Sequence, residues 1–182
     1  MTKTEEEFQT EIQACRDLFE KKSRDYGTSW RILRLPSLTD QIFIKASRIR
    51  SIEETGENKI GDSTRGEYIA MVNYAVIALI QMEMTDADPE ELPLERTMAL
   101  YDKHLQRTVR LMLDKNHDYG EAWRQMRVSS MTDLILMKLK RIKQIEDNQG
   151  KTLVSEGVEG GYMDIINYSL FCLIRMTEGN CE

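Results

Sequence analysis

Two lysines stand where helical spacing calls for apolar side chains. Leu38, Ile42, Ile49 and Ile52 share an arc of about 80° on an α-helix, and Lys45 lies inside it. Lys138 has the same place among Met131, Ile135, Ile142 and Ile145, and Arg48 and Arg141 follow each lysine by three residues, near the same face. A lysine is seldom buried without a partner, so these positions ask for a carboxylate or a bound anion unless the side chains simply snorkel to water. Carboxylates are at hand further on. Asp164 lies three residues before Asn167, on a face with Tyr168 and Phe171, and Glu67 belongs to the matching earlier stretch. Asp164 and Glu67 either each neutralise a lysine or together hold a divalent ion through carboxylate oxygens, while Glu156 and Glu159 add acids that suit that site or a solvated, dipole-favoured helix start. Tyr26, Trp30, Tyr119 and Trp123 offer flat faces for a base or, equally, bulk for a core. Arg31, Arg34, Arg124 and Arg127 suit phosphate or an ordinary surface.

These residues come in pairs because the chain repeats itself. Lys22-Ser-Arg-Asp-Tyr-Gly-Thr-Ser-Trp-Arg returns as Lys115-Asn-His-Asp-Tyr-Gly-Glu-Ala-Trp-Arg, and Thr39, Lys45, Arg48 and Ile49 return as Thr132, Lys138, Arg141 and Ile142. After a one-residue slip, Gly66, Tyr68, Asn73 and Tyr74 pair with Gly160, Tyr162, Asn167 and Tyr168. Positions alike in both copies serve a shared fold or site, and positions that differ show specialisation. The acids differ: Glu67 faces Gly161 in the alignment and Ala70 faces Asp164, so each copy keeps one acid of a Glu-x-x-Asp pattern.

The elements that must carry these groups read as three helices per repeat. Phe8, Ile12, Cys15 and Phe19 recur at helical spacing, as do Leu105, Val109 and Met112. Asp25-Tyr-Gly and Asp118-Tyr-Gly close the first helices with a glycine turn. Second helices are expected after Ser37 or Thr39 and after Ser130 or Thr132, with Asp40 and Asp133 as the acids of capping boxes, ending near Gly56 and Gly150. Third helices, about 66–83 and 160–176, are apolar around most of their girth and are expected at the centre. The spacing predicts an all-α helical bundle, one compact domain over 1–182. Repeat one (about 5–83) and repeat two (about 98–178) flank an acidic, proline-bearing linker (about 84–97) and pair about a pseudo-twofold axis.

A hydrophobic fraction of 41% suffices for a packed core, and a net charge of -6 argues against an extensive nucleic-acid surface or an anionic membrane as partner. The apolar stretches are too short to span a bilayer, and the acidic amino terminus is unlike a signal peptide. Cys15, Cys172 and Cys181 lack metal-ligand spacing and read as reduced thiols, which points to the cytoplasm. His104 and His117 have no ligand-spaced partner, so zinc is not expected. A homo-oligomer is compatible with this composition. No phosphate-binding P-loop or nucleophile elbow is present.

Asp118-Tyr-Gly-x-x-Trp123, Lys138-x-x-Arg-Ile142 and Tyr162-x-Asp-x-x-Asn-Tyr168, each with a counterpart in the first copy, resemble a bacterial and phage family known as a nucleotide modification associated domain. That family is distantly similar to the all-α nucleoside triphosphate pyrophosphohydrolases of MazG type. The resemblance implies a nucleotide or other phosphate-bearing small molecule as ligand. It also implies magnesium held by Glu67, Glu156, Glu159 and Asp164, and phosphate engaged by Lys45, Arg48, Lys138 and Arg141, with Tyr26, Trp30, Tyr119 and Trp123 nearby. Here the acidic pattern is split between the copies, and Glu156-Gly-Val-Glu159 sits in a glycine-rich segment instead of on a preceding helix. Two readings follow: a magnesium-dependent pyrophosphohydrolase-like enzyme, or a non-catalytic helical protein that binds nucleotide or acts as a scaffold.

Overall fold

A computed structural model describes residues 1–61, 63–154 and 157–179. Every regular element among them is helical. The first repeat supplies α1 (Lys3–Tyr26), α2 (Leu35–Thr55) and α3 (Arg65–Glu83); the second supplies α4 (Leu94–Tyr119), α5 (Val128–Asp147) and α6 (Val158–Thr177). A single 3-10 turn, Ser29–Ile32 or Ala122–Gln125, joins the first two helices of each repeat.

The centre is a four-helix core of α2, α3, α5 and α6, with α1 and α4 laid across α3 and α6. Exchanging the repeats maps α2–α3 onto α5–α6, α1–α3 onto α4–α6 and α1–α6 onto α4–α3, while α2–α5, α3–α6 and α1–α4 map onto themselves. This is the contact pattern a pseudo-twofold relation requires. As their composition demands, α3 and α6 bury Met71, Val72, Ala75, Ile165, Ile166 and Leu170 on several sides.

The second helices start earlier than the capping-box reading places them. α2 begins at Leu35, with Pro36 in its first turn, and α5 begins at Val128. Asp40 and Asp133 cap nothing; they face outward and pair across the repeats with Lys143 at 3.2 Å and Arg50 at 3.5 Å. The threonines beside them turn inward. Thr132 Oγ1 lies 2.8 Å from the Tyr68 hydroxyl and donates to Glu53 Oε1 at 3.0 Å; Thr39 Oγ1 lies 2.7 Å from the Tyr162 hydroxyl and donates to Glu146 Oε1 at 2.7 Å. Both threonines and both tyrosines are buried, so each network stitches one repeat to the other through groups that have no water to fall back on. Desolvation pushes both glutamates above the ordinary carboxyl range, and burial pushes the Tyr162 and Tyr68 hydroxyls up as well. Thr132→Val should therefore strand the Tyr68 hydroxyl and cost about 1–3 kcal/mol in urea denaturation. Adding Tyr68→Phe should return part of that loss, because it removes the stranded group.

The linker is a fitted piece. It is shorter than expected, since α4 already begins at Leu94, and it is bound to the first repeat's turn. Thr28 donates from its hydroxyl to Glu90 O at 2.6 Å and from its backbone to Glu91 Oε1 at 3.2 Å, and Leu92 N donates back to Thr28 Oγ1 at 2.9 Å. A Cβ on Gly27, whose φ is +61°, would collide with the Glu91 carboxylate. Only glycine fits that contact.

Candidate functional site

Each repeat carries an aromatic pocket between the end of its first helix, its 3-10 turn and its third helix. The first, about 330 Å³, is lined by Leu18, Phe19, Lys22, Tyr26, Trp30, Asn73 and Tyr74 among others; the second, about 390 Å³, by their counterparts Leu111, Met112, Lys115, Tyr119, Trp123, Asn167 and Tyr168. Trp123 is 6% exposed, stacks on Phe171 at 4.5 Å, meets Phe8 edge-on and donates from Nε1 to Asn116 Oδ1 at 2.9 Å. It is a wall of the pocket and part of the core at once. Tyr26 and Tyr119 are exposed at the rims, and Trp30 is half-buried.

Beyond the aromatic pocket the repeats part company. In the second, a cleft of about 600 Å³ opens between α5 and the start of α6, and it shares Lys115, Gly160 and Asp164 with the aromatic pocket. Among the described residues its wall carries Lys115, Lys138, Arg141 and Lys151 against one carboxylate, Asp164. Asp164 pairs with Lys138 at 2.9 Å; Arg141, Lys115 and Lys151 make no ion pair among the described residues. Gly157, Gly160 and Gly161 also line the cleft, and Gly157 provides α6 with no side-chain cap. Unpaired cations around an uncapped helix start suit an anion.

In the first repeat Glu67 occupies the place of Gly161. Its carboxylate takes up Arg48 at 3.1 Å and Lys45 at 3.7 Å, and Arg48 also reaches Asn58 Oδ1 at 3.2 Å. Ala70 stands where the second repeat has Asp164. The first repeat thus engages both members of its basic pair with a carboxylate of its own. Both lysines have the carboxylate partner that their spacing asks for, on α3 and on α6. Neither is deeply buried: the Lys45 and Lys138 side chains are 32% and 21% exposed, and Lys138 stands on the wall of the cleft.

The other expected ligands lie apart. Glu159 pairs with Arg107 of α4 at 2.7 Å, and Glu156 falls outside the described residues. Among the described residues no three acids, histidines or cysteines come together as a metal-binding group. Arg31 and Arg124 are structural. Arg31 binds Gln81 and the linker carbonyls, and Arg124 sits among Glu7, Glu121 and Glu178 with its guanidinium over Trp123. Cys15 and Cys172 are buried free thiols, each pushed up to about 12 by desolvation, so neither is a ready nucleophile. Cys181 lies outside the described residues. No helix among them is long and apolar enough to cross a membrane.

The repeat pairs Asn167 with Asn73, but the structure shows that the two amides are not bonded alike. Asn73 is bonded at both polar atoms, donating from Nδ2 to Cys15 O at 3.2 Å and accepting at Oδ1 from the Tyr101 hydroxyl at 2.7 Å, whereas the buried Oδ1 of Asn167 has no hydrogen-bond partner. Aligning the copies back to Phe8 and Tyr101, a separation of 93 residues, would have exposed the difference.

The family profile described as nucleotide modification associated domain 1 matches residues 22–82 and again residues 115–176, once in each repeat. No curated protein and no solved structure matches the chain.

Proposed function

Because the chain belongs to the nucleotide modification associated domain 1 family, we propose that it binds a nucleotide, and that it does so in the second repeat alone. The observation that carries this reading is the junction of an aromatic pocket with a cationic cleft. The base lies against Tyr119, Tyr168 and the Trp123 wall, and the phosphates lie among Lys115, Lys138, Arg141 and the start of α6. Asp164, between the two, accepts from a sugar hydroxyl while holding Lys138 in place. On a protein of net charge -6, a local excess of positive charge in this cleft also draws an anion toward it.

The first repeat is then the structural copy, its cations spent on Glu67. The magnesium-dependent pyrophosphohydrolase form of the reading rests on the sequence resemblance. Glu67, Glu159 and Asp164 are each paired with basic side chains of their own, so they do not fit a shared magnesium ion.

Calorimetric titration with nucleosides, their mono-, di- and triphosphates, and inorganic pyrophosphate tests the proposal. Affinity should rise with phosphate number, fall with salt, and be weakest for the bare nucleoside. Equal affinity for nucleoside and nucleotide, or no binding across the panel, would remove it. Pyrophosphate release with magnesium, measured alongside, reports turnover separately from binding.

A further inference from the structure

Resting on the nucleotide reading of the second repeat, we propose that Asn167 reads the edge of the base. Its Oδ1 accepts a hydrogen bond from a ring or exocyclic N–H that Phe8 leaves unanswered.

The two pockets are built on the same plan, and the plan includes an asparagine on the third helix. In the first repeat the other repeat's leading helix satisfies that amide: Tyr101 of α4 donates its hydroxyl to Asn73 Oδ1 at 2.7 Å. The pseudo-twofold relation puts Phe8 of α1 in the corresponding place beside α6. Its ring lies 5.7 Å from Phe171 and 6.1 Å from Trp123, both walls of the pocket that Asn167 lines. Phenylalanine fills the space of tyrosine but brings no donor, and Asn167 Oδ1 is left buried and unpartnered. A buried acceptor without a partner destabilises a fold, and few survive without a reason. The aromatic walls around it take a planar ring, and the unpartnered acceptor selects rings with an N–H on the edge that faces α6. The first pocket has lost this selectivity, because Tyr101 already occupies its asparagine.

Matched nucleotides supply the probe: adenine against unsubstituted purine, and cytosine against 2-pyrimidinone, each as the triphosphate, differing in the presence of N–H on the base. Wild-type protein should prefer the N–H-bearing member of the tighter-binding pair by about tenfold, the weight of one ordinary hydrogen bond. Phe8→Tyr, which installs the internal donor, should erase that preference and raise the melting temperature. Asn167→Leu should erase the preference without touching the phosphate cleft, and it serves if Phe8→Tyr does not fold. If nucleotides bind but neither base pair is discriminated, or if both variants keep the preference, the inference falls and the nucleotide reading stands. If no nucleotide binds, both fall.

Discussion

Gly161→Glu should abolish nucleotide binding, with a loss of at least about a hundredfold, or about 2.7 kcal/mol. The substitution writes the first repeat's solution into the second. Glu67 shows what a glutamate does at this point of the third helix: it draws in the lysine and arginine of the preceding helix, at 3.7 and 3.1 Å, and holds both away from a ligand. At position 161 it would face Lys138 and Arg141 in the same way. The fold should survive at a cost. A Cβ on Gly161 would stand 2.8 Å from Ile142 Cγ1 and 2.9 Å from its Cδ1, so that side chain must shift, and overpacking of this kind costs about 1–3 kcal/mol. Titration calorimetry reads the affinity and urea denaturation the stability. Retained binding in a folded Gly161→Glu protein would show that the cleft cations are not the phosphate site.

Charge reversal separates the repeats. Lys138→Glu with Arg141→Glu should eliminate binding, because two of the four cations become carboxylates and, with Asp164, three acids then face the two that remain. Lys45→Glu with Arg48→Glu should leave affinity within about twofold, a factor set only by long-range screening. The first-repeat variant should instead melt earlier, since Glu67 would lose both its cations and gain like-charged neighbours. Equal loss of affinity from the two double variants would mean that both repeats bind, or that neither cleft does.

The duplication, the helices and the central place of α3 and α6 were legible in the sequence, because they rest on periodicity and apolar girth. So was the pairing of Lys45 and Lys138 with third-helix acids, since a cation on an apolar arc demands one. Helix starts were misread where side-chain chemistry had a stronger claim elsewhere. Thr39 and Thr132 looked like caps, yet their hydroxyls serve buried tyrosines across the repeat interface, a long-range fact that local patterns do not carry. Whether the acids gather at one ion or answer separate cations was left open by sequence and alignment, which place them near one another without showing where they point. In three dimensions Glu159 turns toward α4 and Glu67 toward α2. The open state of the second cleft was implicit in Gly161 against Glu67, but it becomes visible only once the helix crossing shows that the two positions face equivalent cation pairs.

The central claim, one nucleotide site and that site in the second repeat, is tested most directly by methionine methyl NMR. The second aromatic pocket is lined by Met112, Met126 and Met163, whereas its first-repeat counterpart contains no methionine in its lining. Titrating methyl-labelled protein with a nucleoside triphosphate should shift those three signals together and saturably, and should leave the buried first-repeat Met71 in place. Saturable binding that leaves Met112, Met126 and Met163 unmoved would contradict the account.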